Sequence, residues 1–87
     1  MSSAGDYSEV ADKHLDALEA GPDIDLYNAV LDACDLIFRM PEHAQALSTA
    51  ITTAEGIRFR LPVVAHPPVK VFWSSDGPRI EAVFPHP

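Results

Sequence analysis

Cationic residues are scarce in this chain, with six Lys and Arg against thirteen Asp and Glu and a formal net charge of −7. Binding to phosphate rests on clustered Lys and Arg, so such a charge spread evenly would exclude nucleic acid as a partner. One cysteine, Cys34, excludes an internal disulfide framework. No apolar run approaches the roughly 18–20 residues that a bilayer demands, and residues 1–7 lack both a basic n-region and an apolar h-region. A soluble, cytoplasmic chain with no membrane contact is therefore expected. The four glycines never gather into a phosphate loop, and no Ser/His/Asp signature is present. His14, His43, His66 and His86 lack metal-ligand spacing, so neither a metal nor a cofactor is expected.

What is present is enough for one packed domain. Hydrophobic residues make up 47% of the chain and charged ones 22%, a globular balance rather than a disordered one. Eighty-seven residues leave no room for a second domain. The charge is divided sharply: residues 1–55 hold eleven Asp and Glu against Lys13 and Arg39, whereas residues 56–87 hold four basic residues against Asp76 and Glu81. An acidic N-terminal part is joined to a mildly basic C-terminal part.

The acidic part has helical periodicity. Ser8 is placed to cap a helix over 9–20, with Ala11, Leu15 and Leu18 on one side and Gly21-Pro22 as its stop. Asp23 or Asp25 can cap a second helix over about 24–39, in which Tyr27, Val30, Leu31, Cys34, Ile37 and Phe38 form one stripe. The opposite stripe, Asn28, Asp32, Asp35 and Arg39, is polar, and Asp35 to Arg39 is a favourable i,i+4 pair. Pro41 ends this helix. Residues 42–52 predict a short third helix that Ser48, Thr49, Thr52 and Thr53 weaken. Cys34 belongs to the core stripe rather than to a nucleophilic site. Asp12, Asp16 and Glu19 make a carboxylate stripe, either a solvated face or a docking surface for a basic partner.

After Gly56 the period changes from 3.6 to two. Residues 57–64, 69–74 and 79–84 are rich in β-branched and aromatic side chains and predict three antiparallel strands. In the expected register Ile57, Phe59, Leu61, Val69, Val71, Trp73, Ile80, Ala82 and Phe84 cover the helices. The other face presents Arg58, Arg60, Lys70, Phe72, Arg79, Glu81 and Val83. The fold class is α+β: a single domain with a flexible segment 1–7, a helical part 8–55 whose hairpin packs on one face of the sheet 56–84, and a tail 85–87. The expected core is Leu15, Leu18, Val30, Leu31, Cys34, Phe38, Phe59, Val71 and Trp73. Four of the six basic residues then share one sheet face. From the residues alone this is as well read as an ordinary solvated face as it is as a binding one.

This order of elements resembles the RelE/ParE superfamily of type II toxin-antitoxin toxins, a group that includes plasmid-stabilisation proteins. Ile-Arg-Phe-Arg-Leu at 57–61 resembles its strand with two alternating basic residues. Val-Lys-Val-Phe-Trp at 69–73 resembles its next strand, and Ile80 to His86 its last strand running into a basic tail. The resemblance implies cleavage of messenger RNA on the ribosome, with Arg58, Arg60, Lys70 and His86 as catalytic residues. Arg58, Arg60, Lys70, Arg79 and Phe72 would bind RNA, and an antitoxin protein would be a partner. The chain departs from the family in three ways: residues 1–7 carry no signal for the family's opening strand, the tail stops at Phe84-Pro85-His86-Pro87, and active members are generally basic.

RNA cleavage by 2′-hydroxyl attack requires a base at the nucleophile, cations on the phosphate and an acid at the leaving oxygen. Arg58, Arg60 and Lys70 can supply the cations, and His86 the proton transfer. The competing expectation is a non-catalytic interaction module whose sheet face, or an edge left open by a missing first strand, binds another protein or a second copy as a homodimer.

Overall fold

The structure, a computed structural model, describes residues 7–86. Three helices precede four strands: α1 (Glu9–Ala20), α2 (Ile24–Arg39), α3 (Pro41–Leu47), β1 (Thr49–Thr53), β2 (Gly56–Pro62), β3 (Val69–Ser74) and β4 (Arg79–Pro85). The strands form one antiparallel sheet in the order β1-β2-β3-β4. The α+β class with N-terminal helices is as the periodicity predicts, but the sheet has four strands rather than three. Among the described residues no helix is long and apolar enough to cross a membrane.

The caps follow from side-chain chemistry. Ser8 Oγ accepts from the Ala11 amide at 3.0 Å at the head of α1, and Asp23 Oδ1 accepts from the Leu26 amide at 3.0 Å at the head of α2. Pro41 ends α2 and takes the first position of α3, where its missing N–H costs nothing. The third helix stops at Leu47, so residues 49–52, expected to continue it, belong instead to the unpredicted strand β1. The run Thr-Ala-Ile-Thr-Thr prefers a pleated surface, and Gly56, at φ 121°, lets the chain reverse immediately into β2. Thr53 Oγ1 ties this turn by donating to the Gly56 carbonyl at 2.9 Å and accepting from the Glu55 amide. Of the segment 1–7, expected to be flexible, only Tyr7 is described. It makes a parallel bridge to Ile80, and its ring meets Phe38 edge-on.

The core lies between the helices and one sheet face, around Trp73, Ile37, Ile80, Val30, Val71 and Cys34, all essentially inaccessible to solvent. Trp73 packs on Phe59 and donates its indole N–H to Ser48 Oγ at 3.2 Å, which satisfies the one polar atom of a buried ring. Leu15, Leu18, Phe38 and Phe59 are partly buried against this core. Leu31, expected in it, is 36% exposed: it lies one position past Val30, at the rim of the stripe.

The register of β2 and β3 holds, whereas that of β4 does not. Phe72 pairs with Ala82 but Trp73 pairs with Ile80, so Glu81 is an extra residue in a β-bulge. A one-residue bulge reverses the facing of everything on one side of it. Ile80 and Val83 therefore both point at the helices and are buried, and Ala82 and Phe84 lie on the opposite face. The expected placement of Ala82 and Phe84 in the core, and of Val83 outside it, is corrected accordingly.

The two edges of the sheet differ. The outer edge of β4 is covered: the Ser8 amide donates to the Ile80 carbonyl at 2.9 Å, Ser8 Oγ donates to the Glu81 carbonyl at 2.6 Å, and the Val83 amide donates to His14 Nδ1 at 3.0 Å. The outer edge of β1 pairs with no described strand.

Candidate nucleic-acid interface

Alternation along β2, β3 and β4 places Arg58, Arg60, Lys70, Phe72, Ser74, Ala82 and Phe84 on the helix-free face, with Arg60 paired to Phe72 and Lys70 to Phe84. Phe72 and Phe84 stack at 4.5 Å between centroids, and the His86 ring stands edge-on to both, at 5.4 and 6.2 Å. These rings bury Phe72 to 6% exposure. Phe84, at the β4 margin of this face, also meets the His14 ring of α1 edge-on at 6.0 Å and keeps 38% exposure, the accessible part of which a base could stack on.

His86 is brought onto the cations by the chain that follows β4. Its amide donates to the Pro68 carbonyl at 2.9 Å, and its carbonyl accepts from Lys70 Nζ at 2.9 Å. Lys70 also donates to the Pro68 carbonyl at 3.1 Å. Arg60 Nη1 lies 3.3 Å from His86 Nδ1. A guanidinium can only donate, so Nδ1 is the acceptor and the ring proton resides on Nε2. Arg60 Nε is buried without a hydrogen-bond partner, a state that costs roughly 1–3 kcal/mol. Among the described residues the ion pairs are Arg39–Asp35 and Arg58–Glu81, so neither Arg60 nor Lys70 has a carboxylate partner.

Arg58 and Arg79 belong to a different environment. Arg58 Nε lies 3.8 Å from Glu81 Oε2, both side chains being mostly buried, and Ser74 Oγ donates to the same carboxylate oxygen at 3.0 Å. Glu81 follows the helix-facing Ile80 and so lies on the helix-free face beside Arg58, as alternation predicts. Arg79 is exposed beside it, in a cleft of about 420 Å³ that Glu55, Asp76 and Glu81 also line. Three carboxylates around two arginines leave no net cationic field for a phosphate.

Of the four residues expected to be catalytic, Arg60, Lys70 and His86 thus meet, and Arg58 stands apart. Of the expected RNA contacts, Arg79 is remote from the cluster, Phe72 is covered, and Phe84 was overlooked because its facing depends on the bulge. Asp12, Asp16 and Glu19 are solvated on α1. Burial pushes the Cys34 thiol up from 9.0 to about 12, against a smaller lowering by a hydrogen bond with Tyr7, so this group is a neutral core residue.

No known protein family, no curated protein and no solved structure matches the chain.

Proposed function

We propose that this protein is a RelE/ParE-like toxin that holds messenger RNA against the helix-free face of its sheet. The observation that supports the reading is the meeting of Arg60, Lys70 and His86, two cations with no carboxylate partner among the described residues beside the one imidazole of the cluster. Lys70 has spent two of its three N–H donors on backbone carbonyls, and Arg60 retains donors on its outer nitrogens. Both can therefore hold non-bridging phosphate oxygens and neutralise the charge that builds up on them during in-line attack. The Nε2–H of His86 can donate a hydrogen bond to the leaving oxygen, the proton which that oxygen takes up coming from solvent, and the exposed Phe84 ring offers a stacking surface to an adjacent base. The cluster accounts for binding and for charge neutralisation. The acceptor for the 2′-hydroxyl proton has to come from outside it.

Induced expression in a bacterial host tests the reading. Wild-type protein is expected to arrest growth, and a variant carrying Arg60→Ala, Lys70→Ala and His86→Ala is expected to permit it at equal protein level. Arrest by both proteins, or by neither, contradicts the proposal.

A further inference from the structure

We propose that the outer edge of β1 joins two copies of the chain, which pair antiparallel through Thr49–Thr53 about a two-fold axis at Ile51 and form one continuous eight-stranded sheet. The inference stands independently of the RNA reading, since β1 contributes none of the three clustered side chains.

An unpaired strand edge is a template for another strand, and proteins that stay monomeric blunt theirs with Lys, Pro, a bulge or a covering segment. The opposite edge here is blunted in that way, with Ser8 and His14 bonded to the backbone of β4. β1 carries none of these devices. It is five residues of Thr, Ala and Ile, with no charge, no proline and an unbroken register on β2.

Its sequence suits a second copy in particular. Antiparallel pairing about Ile51 sets Thr49 against Thr53, Ala50 against Thr52, and Ile51 against itself. Threonine and β-branched side chains are favourable cross-strand neighbours, and no like charges are opposed. The steric condition is also met: Ala50 and Thr52 are exposed, and so is Ile57 beside Thr52, so the helix layer stops short of β1. A two-fold axis normal to the sheet keeps the helices of both copies on one side without overlap and puts both cationic clusters on the other.

The chain's overall charge does not oppose this contact. Four of the acidic residues lie on α1, which packs chiefly on β4, and the carboxylates nearest β1 in sequence, Glu42 and Glu55, lie outside the paired residues 49–53. Strands about 4.8 Å apart place β1 roughly 14 Å from β4, beyond a physiological screening length of about 8 Å.

Sedimentation equilibrium over a range of protein concentrations tests the contact. Wild-type protein is expected to approach twice its monomer mass. Ala50→Lys with Thr52→Lys opposes lysines at both ends of the pairing and is expected to be monomeric with an unchanged circular dichroism spectrum. Ala50→Lys with Thr52→Glu opposes lysine to glutamate and is expected to dimerise again. Amides of residues 49–53 should become protected from hydrogen exchange as wild-type concentration rises. A wild-type protein that remains monomeric, a double-lysine variant that still dimerises, or β1 amides whose protection ignores concentration would each overturn the proposal.

Discussion

Arg58 and Arg60 are two positions apart on β2 and point to the same side of the sheet, yet they meet opposite environments. Glu81 supplies Arg58 with a carboxylate at 3.8 Å, whereas Arg60 meets an imidazole nitrogen. Removing Arg58 and Glu81 together deletes a pair of no net charge, so the variant with Arg58→Ala and Glu81→Ala is expected to retain RNA affinity within about twofold by fluorescence anisotropy. At the same scale, Cys34 makes stability depend on pH. Its folded pKa, about 12, lies above the ordinary 9.0, so the folded form holds its proton more tightly than the unfolded form. The resulting contribution is complete below pH 9 and is lost as pH rises toward 12. Chemical denaturation at several alkaline pH values should show this decline, and a thiol reagent at pH 8 should label Cys34 only as the protein unfolds.

The elements were legible in the sequence wherever a local signal agreed with the final packing. Ser8 and Asp23 cap the helices they were placed to cap, and Pro41 ends α2. Alternation in β2 and β3 put Arg58, Arg60 and Lys70 on one face correctly. β1 was illegible because Ser48 to Thr53 interrupts a weak helical period, and its threonines counted only as poor helix formers instead of strand formers. The facing of Val83 and Phe84 was illegible for a different reason. No residue around Glu81 announces the bulge, which exists because Ile80 and Val83 both bury in the core when one residue between them is left unpaired. The cluster's third member, His86, was foreseeable as a chemical type, but its position follows from tertiary hydrogen bonds to Lys70 and Pro68 that no spacing encodes. The corrected facing has measurable consequences. Val83→Ala is expected to cost about 1.5–3 kcal/mol in urea unfolding, as befits a buried valine. Ile37→Ala should cost about 2–5 kcal/mol, and Leu31→Ala, at the rim of the stripe, under about 1 kcal/mol.

At the scale of the whole molecule, charge is sorted by layer. The helices carry most of the carboxylates, and four of the six cations lie on strands of the sheet. The pairing of Arg58 with Glu81, together with the carboxylates around Arg79, reduces the effective cationic surface to Arg60 and Lys70. On the proposed reading, a chain of net charge −7 would offer phosphate a small cluster on the side of the sheet away from the helical carboxylates. An interface of two cations predicts weak, salt-sensitive RNA binding that a short segment of single strand suffices to occupy. The central claim is therefore tested most directly by the salt dependence of affinity for single-stranded RNA, measured for wild-type protein and for the variant with Arg60→Ala and Lys70→Ala. The variant is expected to bind more weakly, with a log–log salt slope flatter by about one to two counterions and the fold intact. Equal affinities and equal slopes for the two proteins would contradict it.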